Sequence, residues 1–182
     1  MKPIGPLMWE HRLIEGMVHV IKDELARMKK EGSLNPFLID AIIDFFKIYA
    51  DRTHHGKEED ILFRRLEKKH LTGELRTIMN GLMEDHVRAR ENVGALAVSH
   101  DRYKKGDEGS RDDILERLRH ITEIYPRHIE KEDKEFFYPC MDYFAEEEQR
   151  IMLDEFMEFD RHMIHEKYRN VVESFGGKVL KQ

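Results

Sequence analysis

The sequence predicts an all-α protein, an up-and-down four-helix bundle followed by an additional C-terminal helix. Leu, Ile, Met and Phe dominate a hydrophobic fraction of 40%, in place of a β-branched or turn-rich mix. Proline and glycine signals at Pro6, Gly32-Ser33 with Pro36, Thr72-Gly73, Gly106 to Ser110, Pro139 and Gly176-Gly177 leave five segments between them. Inside the segments apolar residues recur at steps of four and three, one stripe per helix, with no strand alternation and no solenoid-type repeat. A chain of 182 residues is expected to form a single domain, 1–182, burying roughly 70% of its unfolded surface. The bundle is expected over 6–139 and the extra packing helix over 145–175.

In the first segment Leu7, His11, Ile14, Val18, Ile21, Leu25 and Met28 form the inward stripe. In the second, Phe46, Ala50, His54, Glu58 and Leu62 share a face, so two polar residues interrupt an apolar line. The third carries Leu75, Met79, Leu82, His86, Ala89, Val93 and Leu96, with Thr72 as its expected N-cap. The fourth carries Ile114, Leu118, Ile121, Tyr125, His128, Glu132 and Phe136; Ser110 with Asp113 resembles a capping box, and Pro126 is expected to kink the helix before His128. The fifth, about Ala145 to Ser174, has an uninterrupted stripe at Met152, Phe156, Phe159 and Met163.

Composition excludes several functions. The 31 Lys and Arg against 37 Asp and Glu give a net charge of -6 with the signs interspersed, which argues against a phosphate-binding groove and hence nucleic acid. Cys140 is the single cysteine, so there is no intramolecular disulfide, zinc finger or iron-sulfur cluster. The most apolar stretch, Ala41 to Ala50, is broken by Asp44 and Lys47, and Met1 to Met8 has no signal-peptide core. A cytoplasmic protein without membrane attachment is expected. What remains unexplained is the presence of 11 histidines.

Four of these histidines share a register. In an up-and-down bundle, residues level with one another on consecutive helices are equally far from the connecting turn, so their sequence midpoint falls in the loop. The midpoint of His11 and His54 falls between Gly32 and Ser33. That of His54 and His86 falls at His70, just before Thr72-Gly73, and that of His86 and His128 at Asp107, inside the fourth punctuation. Two of the helices also carry a carboxylate four residues on, His54 to Glu58 and His128 to Glu132, on the same face. Four imidazoles and two carboxylates aimed inward make a poor hydrophobic core and a good site for a pair of borderline metal ions bridged by Glu. Mixed nitrogen and oxygen ligation favours iron, or manganese, over a closed structural zinc.

These residues stand in motifs that resemble the hemerythrin-like (HHE cation-binding) family: Leu7-Met-Trp-Glu-His-Arg, His54-His-Gly-Lys-Glu-Glu-Asp-Ile-Leu-Phe, Asp85-His-Val-Arg and His128-Ile-Glu-Lys-Glu-Asp, together covering about residues 7 to 139. The resemblance implies a four-helix bundle holding a non-haem di-iron centre, two iron ions with an oxo or hydroxo bridge. By position it implies His11, His54, Glu58, His86, His128 and Glu132 as ligands. Two positions depart from the oxygen-carrying members. Arg90 stands where they have a second histidine on helix three, which puts reversible oxygen carriage in doubt. Their helix-four carboxylate would fall on Asp133; Glu132 is favoured because it stays on the stripe, with Asp133 the alternate.

Other polar residues have plainer expectations. His55 reads as a residue of the rim or one standing behind a ligand, beside Asp51 and Glu59, rather than as a ligand; His162 and His165 as surface residues; and His19, His70, His100 and His120 as solvated. Tyr125 reads as core, Trp9 as a shield for the His11 end, and Arg90 as a partner for Glu58 or Asp133 or for a bound anion. Six ligands over two irons leave open coordination positions, which suit dioxygen, nitric oxide, peroxide or azide. The first functional reading is a di-iron protein that binds or senses dioxygen or nitric oxide, or takes part in iron and redox homeostasis. The second is a peroxide or nitric oxide reductase fed by an external redox partner, and the third a helical interaction module with structural metal or none.

Overall fold

A computed structural model describes residues 2–174, with side chains through Lys167; Gly176-Gly177 and residue 175 of the expected fifth segment lie outside the described residues. Among the described residues the chain forms five helices and no strand. They are α1 (Ile4–Glu31), α2 (36–66), α3 (Gly73–Lys104), α4 (110–141) and α5 (Glu146–Ser174). None is long and apolar enough to cross a membrane.

The turns follow local chemistry. Gly32 ends α1 in the left-handed conformation (φ 74°), its N–H donating to the Met28 carbonyl, and Asn35 then caps α2 by accepting from the Leu38 N–H. Thr72 caps α3 as expected, accepting from Leu75 N–H at 3.3 Å. Ser110 is not the cap of α4: its hydroxyl donates to the Asp107 carbonyl, and the Asp107 carboxylate holds the turn by accepting from Gly109 N–H. Pro126 is carried inside an α-helical run that continues to Lys131.

The departure from sequence expectation is the helix type around the polar residues. α2 is α-helical over Pro36–Asp44, π-helical over Phe45–His55 and again over Glu58–Phe63. α4 is α-helical over Ser110–Lys131 and π-helical over Glu132–Phe136. π turns are rare and concentrate at functional positions, because a wider turn changes which side chains face inward.

Along every bundle helix the polar residues separate two apolar clusters. Ile14, Ala50, Ala89 and Tyr125 belong to one cluster, and Leu7, Ile61, Leu82 and Phe136 to the other. His11, His54, His86 and His128 lie between them on α1 to α4, at one level of the core. α5 runs antiparallel to α2, joined to it by Arg65–Glu155, Lys57–Asp160, Arg52–Glu166 and Lys167–Asp44 ion pairs, and buries Met152 and Phe156 in the second cluster.

The contact that seats α5 is Gly56, between the two π stretches of α2. A Cβ there would stand 2.7 Å from Cζ of Phe159. Gly56→Ala is therefore expected to cost about 1 kcal/mol, since the half-buried Phe159 ring can tilt away, lowering Tm by about 2–4 °C. Limited proteolysis should then cut α5 sooner than in the unaltered chain; equal cleavage would mean that this contact does not seat the helix.

Candidate metal centre

The six sequence-predicted residues are all buried and all meet. His11, His54, Glu58 and Glu132 offer ligand atoms within 4.8 Å of one another. His86 and His128 join Glu58 in a second group of the same compactness, whose fourth member is His55. Glu58 thus belongs to both. Its Oε1 is 3.6 Å from His54 Nε2 and its Oε2 is 3.4 Å from His86 Nε2. Glu132 divides its oxygens the same way, Oε2 lying 3.1 Å from His11 Nε2 and Oε1 3.3 Å from His128 Nε2.

The protonation pattern of the imidazoles exposes a deficit of positive charge. His11 Nδ1–H donates to Asp133 at 2.8 Å, His54 Nδ1–H to Glu10 at 2.9 Å and His86 Nδ1–H to Glu59 at 2.7 Å. With Nδ1 carrying the proton, each neutral ring presents a bare Nε2 lone pair. Yet Nε2 of His11 and His54 face each other at 3.0 Å, and those of His86 and His128 at 3.2 Å. Two lone pairs at that distance repel unless a proton or a metal ion lies between them. Separations near 3.0 Å are also those along an octahedral edge with bonds of ~2.1 Å. All four oxygens of Glu58 and Glu132 are buried without a hydrogen-bond partner, which polar atoms rarely tolerate. The donor set therefore fits a pair of cations.

Behind each imidazole stands a carboxylate held by a cation. Asp133 pairs with Arg12, Glu10 with Lys57, Glu59 with Arg90 at 2.7 Å and Asp85 with Lys131 at 2.8 Å. Asp85 is 3.7 Å from His128 Nδ1, longer than a hydrogen bond. Such partners fix the ring orientation and raise the basicity of the donor nitrogen. They come from a regular exchange: each carboxylate is the chain neighbour of one inward residue but serves the histidine of another helix. Glu10 precedes His11 and serves His54; Glu59 follows Glu58 and serves His86; Asp133 follows Glu132 and serves His11.

The charges respond accordingly. Burial lowers the pKa of His11, but Asp133 and Glu132 overcome it and push it up to about 10. Burial likewise opposes, and Glu132, Glu58 and Glu59 override, the rise at His86. Burial raises Glu132, while His128 and His11 drive it well below the usual carboxylate range. His55 goes the other way: burial, then the neighbouring His86 and His128, hold it neutral.

The hemerythrin HHE cation-binding domain family model matches residues 3–140, most of the chain and all four bundle helices. The chain belongs to this family. HHE domains bind metal ions, usually iron, and small ligands such as dioxygen at the metal centre. No curated protein and no solved structure matches the chain.

Within this HHE chain several expectations are corrected. Of the two places expected for His55 the rim is excluded: the residue is fully buried, stacked on His86 with ring centroids 3.8 Å apart. Arg90 pairs with Asp51 at 2.6 Å and with Glu59, not with Glu58 or Asp133. Trp9 is 67% exposed; the ring stacked on His11 is Phe137. His100 is buried and pairs with Asp40 at 3.1 Å. Glu132 faces the imidazoles, whereas Asp133 lies behind His11. His19, His70, His120, His162 and His165 are exposed as expected. The carboxylate partners had one sequence signal, an acidic residue beside each inward residue, but nothing in the sequence says across which helix each would reach.

Proposed function

We propose that this HHE domain holds two iron ions between its four bundle helices, with His11, His54, His86 and His128 as imidazole donors and Glu58 and Glu132 as the shared carboxylates. The observation that carries the reading is that both carboxylates split their oxygens between the two histidine pairs, with no hydrogen bond to any other group. Bound there, iron supplies open positions for a small diatomic ligand or anion such as dioxygen, nitric oxide or azide, and one-electron redox chemistry. The chain's part is to orient the imidazoles of His11, His54 and His86 through Asp133, Glu10 and Glu59, so that each directs Nε2 at the centre, and to pack the site between two apolar clusters.

Binding or sensing of such a ligand, or a part in iron and redox homeostasis, is the function this arrangement supports best. A cavity of about 220 Å³ lined by Asp51, His55, Arg90 and Tyr125 adjoins the site, separated from His86 by the stacked His55 ring, and has room for a diatomic molecule. A reductase reading would need electrons from a redox partner, since the single Cys140 cannot form a cysteine pair. A cytoplasmic location and a single domain are in keeping with it, the lone Cys140 being buried.

Elemental analysis of protein made in iron-supplemented medium, joined to absorption spectra before and after azide, tests the reading. Two irons per chain and an azide-dependent spectrum are expected. His54→Ala and His128→Ala should lose stoichiometric iron, and His165→Ala should keep it. Retention of two irons by both core variants would sink the assignment.

A further inference from the structure

We propose that the cavity where α1, α2 and α5 meet is a second binding site, for a small molecule that joins a protonated amine to an apolar or aromatic body. None of the proposed metal ligands lines it, so the inference goes beyond the metal centre and stands or falls apart from it.

The cavity measures about 300 Å³, at the lower end of the range for small-molecule sites. Trp9 of α1, Ile48 of α2 and Met163 and Ile164 of α5 supply its apolar walls. Trp9 is 67% exposed and Ile164 57%. Large apolar side chains left open around a cavity are surface that an occupant would take out of water.

The charges around the cavity do not balance. Lys57 is the cation between two carboxylates, Glu10 and Asp160, both of which line the cavity. Glu10 is committed at both oxygens, one to Lys57 and the other to His54 Nδ1–H. Asp160 gives Oδ1 to Lys57, and among the described residues no group pairs with its Oδ2. Lys167, the other cation of the lining, is held by Asp44 at 2.6 Å. One negative charge is therefore left over, with a free carboxylate oxygen to carry it.

Tyr49 supplies a second acceptor in the lining. Its hydroxyl oxygen is buried and has no hydrogen-bond partner, a state that polar atoms rarely keep. Burial, and then the charges of Glu10 and Asp160, push the phenol above its ordinary pKa, so it remains a neutral hydroxyl. Thr53, the remaining hydroxyl of the lining, already donates to the Ile48 carbonyl at 2.8 Å. An ammonium has three N–H donors and no acceptor, which suits a free carboxylate oxygen together with an unbonded phenol oxygen. The exposed indole of Trp9 adds attraction for a cation. An anionic ligand would be repelled by Asp160 and Glu10, and a neutral apolar one would leave Asp160 and Tyr49 unpaired.

The test uses 2-phenylethylamine as the probe and the fluorescence of Trp9, the single tryptophan of the chain, as the readout on the full protein. A saturable one-site change is expected. 2-Phenylethanol, which keeps the ring and loses the charge, should bind roughly tenfold or more weakly. Asp160→Asn should weaken the amine by a similar factor and Tyr49→Phe by about threefold or more. If Asp160→Asn does not fold, Tyr49→Phe decides, since it removes only an oxygen that has no partner. No saturable change in the unaltered chain, or equal binding of the amine and the alcohol, would overturn the proposal. So would a Trp9 signal that shifts on dilution of the protein alone, which would mean that a second copy of the chain covers this face.

Discussion

Glu58→Ala is expected to release both metal ions, not one. The carboxylate is fully buried, and its two oxygens face different histidine pairs, His54 on one side and His86 on the other. Removing it takes a donor from each position and the shared anion that offsets the mutual repulsion of two cations. The informative comparison is Asp133→Asn, which meets the centre only at the back of His11, through its Nδ1, and otherwise pairs with Arg12. A partner of that kind normally costs ~10–100-fold in metal affinity and leaves the site able to fill at high metal concentration. Isothermal titration of the metal-free protein with ferrous iron or zinc separates the two. Glu58→Ala should show no stoichiometric phase, and Asp133→Asn a weakened phase of full stoichiometry. A full phase in Glu58→Ala would show that the carboxylate does not bridge.

Lys57→Ala should be the most destabilising single change in the bundle that leaves every proposed ligand in place. The ammonium is fully buried and pairs with Glu10 and, at 2.7 Å, with Asp160 of α5. Glu10 in turn accepts from His54 Nδ1–H. Burial raises the pKa of Glu10, and His54 with Lys57 reverse this, so the carboxylate stays charged in the core. Without Lys57 that charge has lost its buried cation, and breaking such a pair from one side costs about 3–5 kcal/mol. For a chain of this size Tm should fall by about 10 °C in thermal melts followed by circular dichroism. Lys57→Met keeps the volume but not the charge and should lose nearly as much. Lys57→Met combined with Glu10→Gln should recover part of the loss, because the stranded carboxylate is then gone. A Lys57→Met variant as stable as the unaltered chain would overturn the electrostatic account.

Lys57 also shows why part of the site escaped sequence reasoning. It stands inside the motif His54-His-Gly-Lys-Glu-Glu, three residues after His54, where an α-helical reading sees a charged residue beside a metal-binding stripe. Its partners, Glu10 and Asp160, are 47 and 103 positions away. With 31 basic and 37 acidic residues in the chain, pairings of this sort are too numerous for composition to rank.

What the sequence determined by itself is which residues turn inward. Apolar periodicity is a local property, and a polar residue that interrupts it is conspicuous because burying it is costly. His11, His54, Glu58, His86, His128 and Glu132 were legible for that reason, and the midpoint argument brought the histidines to one level because turn positions are also locally encoded, by Gly32, Thr72 and Asp107. What only the tertiary structure decided is the helical pitch and the cross-helix pairing. The π stretch that turns His55 inward carries no periodic signature of its own, since the stripe residues Phe46, Ala50 and His54 keep their spacing of four inside it. The choice of Glu132 to face the imidazoles and Asp133 to stand behind His11 depends on where Arg12 of α1 lies relative to α4. Periodicity along one helix is set by its own backbone, whereas the partner of a side chain is set by the packing of helices distant in sequence.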